Sequence, residues 1–307
     1  MASYCTDQGI CLRCADFSET SQIATVFTVQ HGLVHGIAKG SKRVPTKPGN
    51  APTAFSGPLD LFNAGQLVFI LPKQTAASSP GAAGGGGSAG GLAMLTSWQL
   101  EDQQRLLRQS LPGLQSALIA AEVTLHLLHP YEVQTALYQE LAATLILLSG
   151  GRGGGAGGRA LVGYVKAVLT AAGYQPHLHA CVVCQTPVSV AGTGGGEGGT
   201  VGFDPLAGGV VCNDCRSTRE AGVTPRRTQS RRTHPTFKTV PATLLLALDR
   251  LSPPTVLQVQ LPDRPADPVA LRQALELLLD QVQSITDRPL RTRWQVPGIF
   301  QTSSTAP

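Results

Sequence analysis

Four cysteines fall in two pairs, Cys181-Val-Val-Cys184 and Cys212-Asn-Asp-Cys215, and no other feature constrains the fold of this chain so narrowly. Two thiolates in a CxxC spacing can wrap one face of a metal ion, and two such pairs supply a closed tetrahedral site. The 27 residues between the pairs exceed the usual ribbon spacing, but ten of them, Ala191 to Thr200 (AGTGGGEGGT), read as a flexible insertion; without it 17 remain, within the usual range. Cys181, Cys184, Cys212 and Cys215 are therefore expected to hold one structural Zn2+ per chain. All four positions are filled by sulfur, which leaves no open site for an activated water. The metal should brace a fold and not catalyse. The competing readings are four separately buried thiols and a redox CxxC, the latter without the βαβ pattern it needs around either pair. His177 and His179 precede the first pair and are read as lining or as support behind the ligands.

Ahead of these pairs the pattern is that of short strands. Residues 10–17 and 21–29 alternate, with Ile23, Thr25, Phe27 and Val29 on one face of the second. Gln30-His31-Gly32 turns the chain into a third strand, Leu33–Ala38. Gln66–Pro72 and Leu92–Leu100 give a fourth and a fifth, separated by a Gly/Ala/Ser stretch, Gln74–Gly91, that has nothing to pack. Five short strands in about a hundred residues point to a small barrel, of which the OB-fold is the common five-stranded form. Phe27 and Phe69 are expected in the barrel core, with Phe17, Phe55 and Trp98 left open. Cys11 and Cys14 lie on the first strand, where residues three apart point to opposite faces about 10 Å apart; neither a disulfide nor joint chelation is expected of them.

From Glu101 the period becomes helical. Leu111–His129 and Tyr131–Ser149 carry apolar residues at three- and four-residue spacing. A second glycine run, Gly150–Gly158, leads to a helix at Leu161–Ala172 that should end in a left-handed cap at Gly173. Two more helices are expected at Val240–Leu251 and Pro268–Thr286, and the chain should fray from Trp294. The fold class is thus α+β: an N-terminal OB barrel (1–100, with 74–91 inserted), a helical domain (101–180, with 150–158 inserted), a zinc module (181–216, with 191–200 inserted), a basic arm and C-terminal helices packing on the helical domain (217–293), and a tail (294–307). Gly86-Gly87-Ser88-Ala89-Gly90 matches a nucleophile elbow by composition only, because no strand-turn-helix surrounds it. No catalytic constellation emerges, and an enzyme is not expected.

Charge is sparse, with 24 basic against 19 acidic side chains for a net +5. The excess sits in residues 1–75 (net +2) and 181–240 (net +3), while the other two stretches balance. Clustered cations of this kind suit a polyanion. Met1–Ile10 has neither the basic start nor the apolar core of a secretory signal, and Leu141–Leu148 is too short to cross a bilayer. Seven cysteines without an export signal fit a reducing cytoplasm, and no membrane partner is expected.

Two sets of motifs resemble one family. Asp16-Phe17-Ser18-Glu19-Thr20-Ser21-Gln22, then Phe27-Thr28, His31-Gly32 and Gly36-Ile37-Ala38-Lys39-Gly40-Ser41-Lys42-Arg43, is similar to the N-terminal signature of RecO, the bacterial recombination mediator. Gly173-Tyr174-Gln175-Pro176-His177-Leu178, followed by the first CxxC pair, Phe203, Gly208-Gly209 and the second pair, resembles that family's approach to its zinc module. Arg288-Pro289-Leu290-Arg291-Thr292-Arg293 is a weaker echo. The resemblance implies a nucleoid-associated DNA-repair protein with an OB domain, a helical domain and a zinc module. It would bind and anneal single-stranded DNA, contact the tail of the single-strand-binding protein and RecR, and indirectly help to load RecA.

An OB-fold binds oligonucleotides on a strand face flanked by loops. Lys39, Lys42, Arg43 and Lys47 follow the third strand and are the expected phosphate contacts, a solvated basic loop being the alternative. Arg226, Arg227, Arg231 and Arg232 lie in Thr224–Lys238 (TPRRTQSRRTHPTFK), read as a mobile basic arm for either strand of a nucleic acid. Aromatics are only 5% of the chain, so binding should be mainly electrostatic and weakly sequence-selective. A zinc-stabilised protein-interaction adaptor without direct DNA binding is the competing function. A zinc hydrolase or deaminase is disfavoured by the filled ligand set.

Overall fold

A computed structural model of the chain describes residues 4–43, 54–72, 91–102, 104–150, 155–188, 199–220, 237–251 and 267–300. The chain divides into two compact units, Met1–Arg105 with Leu128–Gln139, and Leu106–Leu127 with Glu140–Pro307.

The first unit is a closed five-stranded barrel. Its strands are β1 (Tyr4–Asp16), β2 (Gln22–Thr28), β3 (Gly32–Ala38), β4 (Ala64–Ile70) and β5 (Ala93–Asp102), in the order β1-β2-β3-β5-β4, with β4 closing on β1. All neighbours are antiparallel except β3 and β5. This is the OB-fold expected from the strand count. The interior is filled by Val26, Val34, Leu59, Leu67, Phe69, Leu95 and Trp98, among others. At the β2–β3 turn Gly32 has φ +63°, and a Cβ there would stand 1.9 Å from the Glu132 carbonyl oxygen. Only glycine fits both the left-handed conformation and that approach. The turn is held by the buried carboxylate of Asp7, which accepts from the Gln30 amide at 2.8 Å and lies 2.8 Å from Nδ1 of His31.

Two expectations about this unit are corrected. Phe27 is fully buried, but on the outer face of β2, edge-on to the ring of Tyr138 at 5.8 Å between centroids, and not in the barrel interior. Cys11 and Cys14 do not point to opposite faces. A β-bulge between Cys11 and Arg13 shifts the register so that Cys11 pairs with Val26 and Cys14 with Ala24, two inward positions of the same strand. Both thiols therefore face inward, Cys11 fully buried and Cys14 packed against the core. The extra residue of a bulge resets the alternation; Ile10, Cys11 and Leu12, all buried in succession, are its mark.

The second unit is mainly helical. Besides α1 (Arg105–Gln109), which begins at the division between units, it contains α2 (Leu111–Leu127), most of α3 (Thr135–Ser149) and α4 (Ala156–Ala171). α4 starts earlier than expected, inside the glycine run, and buries Gly157, Gly158 and Ala160. It ends as expected at Gly173 (φ +82°), with the Gly173 amide donating to Thr170 O at 3.0 Å and the Tyr174 amide to Leu169 O at 2.7 Å, a Schellman cap. A three-stranded sheet follows, β6 (Thr200–Asp204) flanked by β7 (Gly209–Val211) and β8 (Lys238–Pro241), with α5 (Asn213–Glu220) between β7 and β8. Then come α6 (Ala242–Arg250) and α7 (Pro268–Thr286), the latter capped by Asp267, whose Oδ1 accepts from the Val269 amide at 2.9 Å. α7 packs on α4, α6 and α2.

Fraying from Trp294 is not observed as far as Phe300. A 3-10 turn, Arg293–Gln295, and α8 (Val296–Ile299) bury Val296, Ile299 and Phe300, which are spaced for one helical face. The motif at Arg288–Arg293 has a structural use here. The backbone amides of Arg291 and Thr292 and the Thr292 hydroxyl donate to the Glu122 carboxylate of α2 at 2.8, 2.9 and 2.6 Å, and Arg293 and Lys238 both pair with Asp280 of α7.

Candidate metal centre and nucleic-acid interface

The first CxxC pair is shaped by a tight loop. The Cys181 amide donates to Thr186 O at 3.0 Å and the Gln185 amide returns to Cys181 O at 2.8 Å, with Gln185 in the left-handed region at φ 62°. β7 carries the second pair alongside. The Val182 amide donates to Val210 O at 2.9 Å, and a Cβ on Gly209 would lie 2.4 Å from Val182 Cγ1, so this glycine lets the two loops close together. Cys212 sits immediately before α5 and Cys215 within its first turn. The Cys212 amide donates to Cys181 Sγ at 3.4 Å and the Cys215 amide to Cys212 Sγ at 3.5 Å.

The four sulfurs lie within 4.8 Å of one another, with Cys184 Sγ and Cys212 Sγ 3.7 Å apart. Tetrahedral ligands about 2.3 Å from zinc are separated by ~3.8 Å, so the donor set and its spacing fit the ion. The electrostatics lead the same way. The Thr186 side chain and backbone hold the Cys184 thiol down to about 6, while the neighbouring Cys212 side chain, with desolvation, pushes Cys215 up to about 12. Four sulfurs so close cannot all ionise unless a cation sits among them. His177 and His179 are exposed and outside the cluster, and His179 Nε2 instead lies 3.2 Å from Asp249 Oδ1. Among the described residues no other group of His, Cys, Asp and Glu is arranged to hold a metal.

Of the expected phosphate contacts, Lys39, Lys42 and Arg43 are described, and they stand together at the end of β3. The Arg43 amide donates to Gly40 O at 3.1 Å, and the Lys42 amide to Thr20 O at 3.2 Å, which ties this segment to the β1–β2 hairpin. Lys42 already pairs with Asp16 at 2.8 Å. Lys39 and Arg43 are exposed and have no ion pair among the described residues. Lys47, Arg226, Arg227, Arg231 and Arg232 lie outside the described residues. The flanks of the arginine-bearing segment are placed, however: α5 begins at the thiol cluster on one side, and β8 pairs with β6 on the other.

Arg13 is a cation the sequence reading passed over. It is exposed on β1, opposite Thr25, which in turn is opposite His35, and the Thr25 hydroxyl lies 2.7 Å from His35 Nδ1. Burial, and then the Arg13 charge, lower the His35 pKa. Its outward direction follows from the same bulge that turns Cys11 and Cys14 inward. Of the aromatics left open, Trp98 is fully buried in the barrel and Phe55 packs against that core. Phe17, at the β1–β2 hairpin, is 61% exposed.

Comparison with known proteins bears on both sites. The model for the N-terminal domain of recombination protein O matches residues 1–67, and the model for its C-terminal domain matches residues 108–231. Together they cover more than half of the chain, including the barrel cations and all four clustered cysteines. Among curated proteins, the DNA repair protein RecO of a Synechococcus species is 28% identical over 208 residues, 68% of this chain and 65% of that protein. The RecO of Moorella thermoacetica is 26% identical over 211 residues, 68% and 65% of the two chains, and that of Cutibacterium acnes is 28% identical over 213 residues, 68% and 73%. The matched stretch thus spans slightly less than two thirds of the first two relatives. Among the described residues no helix is long and apolar enough to cross a membrane.

Proposed function

The chain belongs to the RecO family, and on that premise we propose that it is a mediator of recombinational DNA repair that binds and anneals single-stranded DNA. The observation that carries this reading is the pair of exposed cations Lys39 and Arg43, without ionic partners among the described residues, at one end of an OB barrel. Such cations track phosphates and carry no base information. Two strands repel through their phosphates; a basic surface that holds both lowers the cost of their encounter and leaves base edges to pair. No acid or base is required, in keeping with a family of mediators.

The thiol cluster is read as a structural Zn2+ site held by Cys181, Cys184, Cys212 and Cys215. The ion would neutralise the crowded thiolates and fix the loops from which the arginine-bearing segment departs. Arg226, Arg227, Arg231 and Arg232, with Lys47, are proposed as further phosphate contacts. RecR and the tail of the single-strand-binding protein are the proposed protein partners, and RecA loading the downstream step, in the cytoplasm at the nucleoid.

The test is a fluorescence annealing assay on Lys39→Glu/Arg43→Glu. Annealing should slow at least tenfold while the thermal unfolding midpoint stays in place, since both side chains are exposed. Unchanged annealing would remove the barrel end from the mechanism. Failure of the unmodified protein to bind any oligonucleotide would leave the zinc-braced adaptor as the function.

A further inference from the structure

The bulge in β1 has a second effect besides aiming Arg13 outward. On an unbroken strand, residues three apart stand about 10 Å from each other and face opposite ways. The extra residue at Leu12 instead sets Cys11 opposite Val26 and Cys14 opposite Ala24, two successive inward places on β2. That spacing is about 6.7 Å along a strand, within the roughly 4.4–6.8 Å that a disulfide spans between Cα atoms. A bond that regular alternation forbids is thus within reach here.

The two thiols differ as an attacking and a resolving cysteine must. A hydrogen bond between their side chains is the largest influence on the ionisation of each. With burial, it holds Cys11 well above the ordinary thiol value; this side chain is fully buried, its Sγ 3.6 Å from the Arg13 carbonyl oxygen. The same hydrogen bond holds the half-buried Cys14 below that value, with the Leu61 backbone assisting and burial, Asp60 and Asp16 opposing. The thiolate is the nucleophile of thiol chemistry, and access to solvent decides what it meets. Two thiols alone do not close a zinc site, and among the described residues no His, Asp or Glu joins this pair in a group able to hold a metal. Cys5, the third thiol on β1, is opposite Phe69 and six residues from Cys11, about 20 Å along the strand.

We propose that Cys11 and Cys14 form a reversible oxidation site in the barrel wall, with a hydroperoxide as the oxidant. The Cys14 thiolate attacks a peroxide oxygen, the O–O bond breaks, hydroxide leaves, and Cys14 becomes a sulfenic acid. The Cys11 thiol then attacks that sulfur. The S–S bond forms, the S–O bond breaks, and the Cys11 proton departs with the hydroxyl group as water. With hydrogen peroxide, two thiols and one peroxide give one disulfide and two waters; sulfur is oxidised and peroxide oxygen reduced. A dithiol reductant restores the pair by exchange. The bond would lock the bulge, and with it the outward direction of Arg13. In reducing compartments disulfides are transient and serve redox sensing, a use that this reversibility suits.

In the test, the full chain is exposed to hydrogen peroxide, blocked with an alkylating agent and digested with trypsin without reduction. Trypsin cuts after Arg13, between the two cysteines, so residues 1–13 and 14–39 stay joined only through a disulfide. The joined peptides should appear in the mass spectrum, disappear on treatment with dithiothreitol and persist in Cys5→Ser. They should be lost in Cys11→Ala, where dimedone should instead trap Cys14 as the sulfenic acid. If Cys11→Ala does not fold, Cys5→Ser decides alone, because Cys11 is then the one thiol left in residues 1–13. Joined peptides that vanish in Cys5→Ser or survive Cys11→Ala place the bond at Cys5 and overturn the site. Their absence at a peroxide excess that already consumes Cys5 overturns it equally.

Discussion

The barrel encloses Phe69, Trp98, Leu67 and Leu95, each no more than 1% exposed, in a sheet whose edges close on one another. The stretch around the thiol cluster buries far less: Phe203 with Val201, Val210, Val211 and Leu178, on loops joined by a three-stranded sheet. A barrel with no open edge and a continuous apolar interior holds itself by burial. Loops with one buried aromatic among the described residues need a further constraint, which four thiolates around an ion would supply. The difference teaches where each region is vulnerable: one to the loss of volume in its core, the other, on the proposed zinc reading, to the loss of its ion.

The comparison is broken most severely by removing the metal. Structural zinc in small modules contributes about 10–16 kcal/mol to folding. A chelator, or Cys212→Ser, should therefore abolish amide protection across residues 177–216 and bring the metal content from about one per chain to none. Protection of the barrel strands should persist. Loss of protection in both regions together would show that they do not depend on separate constraints. Next in size is Phe69→Ala, which opens the barrel core and should cost about 3–5 kcal/mol in denaturant unfolding, with metal content unchanged. Gly32→Ala should cost about 2 kcal/mol, because it places a Cβ at positive φ and against the Glu132 carbonyl. An unaltered unfolding curve for that variant would mean the β2–β3 turn yields freely.

The same contrast governs what could be read in advance. Strand alternation and turn residues located all five barrel strands, because one face of each is buried and the period of two survives in the residue types. The clustering of the four cysteines was legible because a metal demands its ligands at fixed spacing. What escaped was local geometry that breaks a period. At Leu12 the bulge turned Cys11, Arg13 and Cys14, and only the unbroken apolar run Ile10-Cys11-Leu12 hinted at it. Gly157 and Gly158 read as linker composition, although both are buried in the first turn of α4. The outward burial of Phe27 is not legible in the strand pattern, because its cover, Tyr138, is more than a hundred residues away in sequence. The outward direction of Arg13 became visible only with the strand register, since taken singly it is an ordinary surface position.

The central claim is that single-stranded DNA is gripped through its phosphates by cations anchored on the barrel and on the metal-braced segment. Its most direct test is the affinity of the full chain for labelled single-stranded DNA over a series of salt concentrations. If about six phosphates are neutralised, the log–log slope should be near −4, and Lys39→Glu/Arg43→Glu should make it shallower by about 1.4. Absence of binding at the lowest salt, or a slope near zero, would contradict the account.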